Sequence, residues 1–175
     1  MKPRGLLMIE HRLIEKVLIA AKNKASKMSD EAYDPIFIDT VVDFIRTYAD
    51  RTHHGKEEDI LFKKLEGKEL AADDRRVMGE LIMEHKQARQ KVKEISDLNA
   101  EYRKGKASAV PEIVKVINWL SEFYPVHIIK EDKVFFVNTE KYFNEKELEN
   151  LLKEFYEFDQ KMIHEKYLKV YREII

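Results

Sequence analysis

The stretch His53-His54-Gly55-Lys56-Glu57-Glu58-Asp59-Ile60-Leu61-Phe62 sets a histidine four residues before a carboxylate, inside what reads as a long helix. Four residues is just over one helical turn, about 6 Å of rise, so both side chains leave the same face and can close on one metal ion. The stretch His127-Ile128-Ile129-Lys130-Glu131-Asp132-Lys133-Val134-Phe135-Phe136 repeats it, with His, Lys, Glu and Phe at matching places and an acidic residue after the Glu. A shorter repeat precedes each copy: Glu10-His11-Arg12 and Glu84-His85-Lys86. The chemistry-bearing order is therefore His, His-x-x-x-Glu, His, His-x-x-x-Glu. Such an order makes sense if folding brings the four places together.

Periodicity predicts five helices. Leu7, His11, Ile14, Leu18, Ala21 and Ala25 recur at three- and four-residue spacing in a first helix over roughly 6–28. Pro35 suits the first turn of a second helix, which carries the opening motif and ends at Gly67. Gly55 within it costs about 1 kcal/mol relative to alanine, which points to close backbone packing there. Asp73 or Asp74 can cap a third helix with the stripe Met78, Leu81, His85, Ala88, Val92 and Ile95, stopped at Gly105. A fourth helix starts over Ser108–Pro111 and contains Pro125, where a kink is expected before His127. Asn144 and Glu147 form a capping-box start for a fifth helix. The expected fold is all-α: one domain over 1–175, an antiparallel up-down four-helix bundle over about 6–138 with an additional C-terminal helix over about 144–173.

Composition agrees. Charged residues make up 37% and apolar ones 44% of the 175, with only 5 Gly and 4 Pro, as in long-helix proteins. Lys+Arg 32 against Asp+Glu 33 leaves a net charge of −1, so no positive excess points to nucleic acid or an anionic membrane. No apolar run approaches the roughly 18 residues of a membrane span, and the amino terminus lacks a signal-peptide core; a cytoplasmic protein is expected. Zero cysteines exclude disulfides, thiolate zinc sites and iron–sulfur clusters, so a metal here must rely on His, Asp and Glu.

One histidine on an apolar helix face is usually a core or boundary residue. Here four lie on four successive helices, each in phase with its apolar stripe, and two have a carboxylate one turn on. Burying unpaired imidazoles and carboxylates is costly, and a metal offsets that cost. Four imidazoles and two carboxylates are too many for one ordinary zinc; they suit two first-row metals with bridging carboxylates, and the ligand types favour non-haem iron.

At these residues the chain resembles the hemerythrin-like, or HHE cation-binding, family over most of its first 140 residues. Members are four-helix bundles around a non-haem di-iron centre, with ligands in the order His, His-x-x-x-Glu, His-x-x-x-His, His-x-x-x-x-Asp. The resemblance implies His11, His53, Glu57, His85, His127 and Glu131 as metal ligands. His54 and Glu58 offer the same spacing as His53 and Glu57 one residue later. Asp132 stands at the family's five-residue offset from His127, while a divergent branch that includes an animal iron-sensing domain uses His-x-x-x-Glu, which favours Glu131.

One departure is evident: the residue four after His85 is Arg89, not histidine. Its loss puts reversible oxygen carriage in doubt and opens a further coordination position, unless Glu15, the repeat-equivalent of Arg89, or His164 on the fifth helix supplies a donor. His164 would otherwise hydrogen-bond bound ligand or simply pack that helix. The implied cofactor is a pair of iron ions, carboxylate- and oxo/hydroxo-bridged. The implied partner is a small molecule such as O₂, NO or peroxide, bound for sensing, storage or detoxification. The alternatives are a di-iron enzyme that consumes peroxide or oxidises iron, and an iron-responsive interaction module.

Overall fold

A computed structural model describes the backbone of residues 1–174 and the side chains of residues 1–162. Every regular element among the described residues is helical. Helix α1 runs Pro3–Ala25, three residues earlier at each end than the periodicity suggests. Helix α2 is continuous over 35–66; its first N–H groups are capped by Asp34, whose Oδ1 accepts from the Phe37 amide at 3.0 Å. Helix α3 runs Ala72–Arg103 and helix α4 over 109–139, followed by a 3₁₀ turn at Glu140–Tyr142. Helix α5 runs Glu145–Ile174.

Several local expectations hold for the stated reasons. Asn144 Oδ1 accepts from the Glu147 amide at 2.9 Å and Glu147 Oε2 from the Asn144 amide at 2.8 Å, a reciprocal capping box. Gly105 terminates α3 with φ +93°, a conformation open mainly to glycine. The expected cap of α3 is different: the helix starts after Ala71 with no side-chain cap. Asp74 instead accepts from the Tyr142 hydroxyl at 2.7 Å, tying α3 to the end of α4. Pro125 lies within an unbroken helix, Ala109–Lys130, and the irregularity comes after it, at Glu131.

That irregularity is a π-helical turn, Glu131–Phe135; α2 has two such stretches, Ile45–His54 and Glu57–Phe62. Hydrogen bonds reaching five residues back widen the helix and change which side chains share a face; such turns concentrate at functional sites. Here they carry His53, His54, Glu57 and Glu131. A wider turn lets the adjacent His53 and His54 both point inward, where each is buried.

Side-chain pairs give the packing. Glu10 meets His53 and Lys24 meets Asp34 between α1 and α2; Asp39 meets Asn99 and Glu58 meets His85 between α2 and α3. Glu84 meets His127 and Glu80 meets Lys130 between α3 and α4, while Ser121 reaches Leu18 and Asp132 reaches His11 between α4 and α1. In each pair the numbering rises along one helix as it falls along the other, so neighbours run in opposite directions around a ring of four. Helix α5 packs outside, against α1 and α2.

The core divides in two. One apolar cluster, including Ile14, Leu18, Ile38, Ile95, Ile117 and Leu120, fills one end; Leu7, Phe62, Leu65, Leu81, Phe135 and Phe155 fill the other. Between them lies a layer of buried histidines and carboxylates, so the polar centre is closed off by side chains that each contribute about 1.5–3 kcal/mol on burial.

Candidate metal centre

The polar layer draws on all four bundle helices: Glu10 and His11 from α1; Asp50, His53, His54, Glu57 and Glu58 from α2; Glu84 and His85 from α3; His127, Glu131 and Asp132 from α4. The five histidines are at most 2% exposed, and Glu57 and Glu131 are fully buried.

Each imidazole is held from behind by a carboxylate on its Nδ1. His11 meets Asp132 at 2.7 Å, His53 meets Glu10 at 2.8 Å, His85 meets Glu58 at 2.7 Å and His127 meets Glu84 at 2.7 Å. His54 meets Asp50 at 3.3 Å. A carboxylate at Nδ1 holds the proton there and presents Nε2 as a lone pair, the arrangement that orients metal-binding histidines. Those Nε2 atoms face inward. The Nε2 atoms of His11, His53, His85 and His127, with both carboxylate oxygens of Glu57 and of Glu131, are buried without a hydrogen-bond partner. Buried polar groups are almost always satisfied, and eight orphaned atoms pointing at one another are explained by a cation between them.

The donors form two groups able to hold a metal ion, each with its donor atoms within 4.8 Å of one another: His11, His53, Glu57 and Glu131 in the first, His54, His85 and His127 in the second. The two glutamates span the gap. Glu57 lies 3.5 Å from His53 Nε2 through Oε1 and 3.5 Å from His85 Nε2 through Oε2. Glu131 lies 3.1 Å from His11 Nε2 through Oε2 and 3.2 Å from His127 Nε2 through Oε1. Each carboxylate thus offers one oxygen to either group.

Electrostatics match a site built for positive charge. Burial opposes ionisation of His11 and His127, yet the acids around them win: Asp132 and Glu131 raise His11 to about 9, and Glu131 and Glu84 raise His127 to about 10. Burial and the neighbouring charge on His11 lower His53 to about 4. Burial and the charge of Glu131 push Glu57 well up, whereas Glu131, despite its burial, is held well down by His127, His11 and His85. Without a cation the centre balances its carboxylates with protons on imidazoles.

The arrangement has an approximate internal twofold. Glu10, His11, His53, Lys56, Glu57 and Glu58 correspond to Glu84, His85, His127, Lys130, Glu131 and Asp132, each 74 residues later. The two halves exchange supports: Glu58 holds His85, and Asp132 holds His11. Phe136 stacks on His11 as Phe62 stacks on His85. The twofold breaks at His54, whose counterpart is Ile128, and at Asp50, whose counterpart is Tyr124.

The six residues His11, His53, Glu57, His85, His127 and Glu131 all lie in the two groups, and His54 joins them. His53 and His54 are not alternative registers; they serve different groups. Arg89 lies outside both groups. It bonds Asp50 at 2.7 Å and Glu58 at 2.7 Å, and thereby clamps the carboxylates behind His54 and His85. Glu15 joins neither group; it pairs with Arg12 at 2.8 Å, and Arg12 also bonds Asp132. Glu58 and Asp132 support imidazoles from behind. The side chain of His164 lies outside the described residues. Sequence reasoning missed the roles of Glu10, Glu84 and Asp50. The repeated Glu-His pairs pointed at the first two, but an acid beside a histidine in sequence says nothing about which other histidine it will hold.

Comparisons with curated proteins and with solved structures returned no match at the threshold applied. The family model for the hemerythrin HHE cation-binding domain matches residues 3–139, a span that contains every donor in both groups. The chain belongs to the hemerythrin HHE cation-binding domain family.

Proposed function

We propose that this protein holds two non-haem iron ions and binds O₂, or a related small oxidant such as NO or peroxide, for sensing, storage or detoxification. The observation that carries this reading is the pair of donor groups joined by Glu57 and Glu131 with unequal numbers of imidazoles. His54, His85 and His127 serve one position; His11 and His53 serve the other, where the counterpart of His54 is the apolar, buried Ile128. The position with fewer protein donors is the one free to accept an exogenous ligand. Iron held there would supply electrons to a small oxidant. Imidazole and carboxylate donors without thiolates suit iron in both common oxidation states.

The protein's own part is orientation and exclusion. Glu10, Glu58, Glu84, Asp50 and Asp132 lock each imidazole by its Nδ1. The phenyl rings of Phe62, Phe135 and Phe136 and the aliphatic cluster at the other end keep bulk water away. Excluding water strengthens every interaction inside and protects a bound small molecule from side reactions.

The test is anaerobic loading with ferrous iron, measurement of iron per chain, and the optical spectrum on addition of O₂. About two iron per chain and an oxygen-dependent band support the reading. A stable band denotes carriage, while rapid bleaching with turnover of peroxide shifts the assignment to an enzyme. Spectral silence with metal-dependent melting shifts it to an iron-responsive interaction module. Absence of bound metal overturns it.

Two further outcomes follow. His54→Ala removes an imidazole from one group only, so uptake falls to about one ion per chain, with the remaining ion at the position of His11 and His53; unchanged stoichiometry would remove His54 from the ligand set. Metal uptake also releases protons, because His11 at about 9 and His127 at about 10 are protonated in the metal-free chain at pH 7 and must lose those protons to bind. The sign is therefore an affinity that rises with pH across the neutral range. Calorimetry of metal binding in buffers of different ionisation enthalpy measures the released protons, and identical heats in all buffers would contradict this.

A further inference from the structure

The repeated halves differ in how their lysines are treated. Lys130 bonds Glu84 behind His127 and also Glu80, at a surface where its side chain is 26% exposed. Its counterpart Lys56 bonds Glu10 behind His53 and is fully buried. Helix α5 makes the difference. Asp159, itself 27% exposed, meets Lys56 at 2.6 Å, so a chain of charges runs from Asp159 on α5 through the buried Lys56 and Glu10 to His53 in the inner layer. A buried ammonium is tolerated only when paired; Glu10 gives one oxygen to Lys56 and the other to His53, and Asp159 is the second carboxylate on Lys56.

A second observation brings α5 onto the same stretch. A Cβ built on Gly55 would stand 2.8 Å from Cζ of Phe158, so the glycine between His54 and Lys56 leaves room for the Phe158 ring to lie directly against α2. Two consecutive residues of α5, Phe158 and Asp159, are thus seated against two consecutive residues of α2, directly outside the histidine pair. Among the described residues nothing covers the corresponding stretch of α4, where Val126 and Ile129 are exposed.

We propose that Asp159 is a positioning residue for the metal position served by His11 and His53, acting through Lys56 and Glu10 on the imidazole of His53. Helix α5 is thereby part of the frame of one metal position and not of the other, and the two positions differ in affinity for that reason. The inference rests on the metal-binding reading above. Carboxylates that support metal-bound histidines indirectly change affinity by about 10–100-fold when lost, and Asp159 stands one link further out, so the lower end of that range is expected.

The experiment is an anaerobic titration of the full-length chain with Co²⁺ as the optical probe, read for the two uptake steps. Asp159→Asn should weaken one step about tenfold and leave the other unchanged, and Asp159→Glu should restore it. Glu154→Gln, which removes the pair between Lys64 and α5 far from the histidines, should alter neither step. In the His54→Ala chain, where one position remains, Asp159→Asn should weaken that remaining position. Phe158→Ala, which loosens α5 over Gly55 without touching α2, should weaken the same step in the same direction. Equal effects of Asp159→Asn and Glu154→Gln would reduce Asp159 to a docking contact, and two unchanged steps in Asp159→Asn would also overturn the proposal. A parent chain that takes up no Co²⁺ overturns the metal-binding reading itself, whereas a parent with two steps that Asp159→Asn leaves intact refutes only the role of Asp159.

Discussion

Glu131→Ala should empty both metal positions, a larger loss than any single histidine change. Its two oxygens face opposite groups, one 3.1 Å from His11 and the other 3.2 Å from His127, and the side chain is fully buried. Truncation leaves the imidazoles of α1 and α4 without the charge that joins them. Asp132→Asn is the matched comparison, because Asp132 is adjacent in sequence and stands at the family's usual carboxylate offset. It touches His11 only at Nδ1 and holds Arg12 with its other oxygen. Its replacement should weaken affinity about 10–100-fold yet leave a chain that loads at high metal concentration. Metal per chain after desalting separates the two, and greater loss from the Asp132 change would return the inner role to the aspartate.

Loading with iron should raise the melting midpoint strongly. The inner layer buries four imidazole Nε2 atoms and both oxygens of two carboxylates, groups that a cation would hold together. Binding restricted to the native state stabilises by about 4.1 kcal/mol per site when free metal is about 1,000 times the dissociation constant. Two sites give about 8 kcal/mol. For a chain of this size each kcal/mol moves the midpoint by about 2–4 °C, so a rise of roughly 15–30 °C is expected. Calorimetric scans with ferrous iron and with a chelator, both anaerobic, measure it. Superimposed scans would mean that the polar layer is not a metal site.

The all-helical fold and much of the inner residue set were legible in the sequence. Apolar spacing of three and four residues is a local property, and it marked the helices together with the faces on which His11, His85 and His127 lie. End signals at Pro35, Gly105 and the Asn144–Glu147 pair depend on backbone chemistry within a few residues, so they too could be read directly. The duplicated His-x-x-Lys-Glu motif carried the donors of both halves, because folding a repeated segment twice produces matching positions.

What the local pattern lacks is the rotation and height of one helix against another. Only the tertiary structure decided that Glu10 holds His53, 43 residues away, and that Asp132 and Glu58 cross between halves. The π-helical turns in α2 were equally hidden, since nothing in the spacing of apolar residues announces a hydrogen bond that reaches one residue further. Those turns let His53 and His54 face the centre together, so His54 comes to lie beside His85 and His127, while Arg89 turns outward to Asp50 and Glu58. The full burial of Lys56 was decided the same way, by Asp159 arriving on a helix outside the repeat. Sequence determined the helices and the inward faces that carry His11, His85 and His127. Long-range packing determined which partner each one meets, because that depends on the relative register of helices separated by loops and not on any residue's neighbours along the chain.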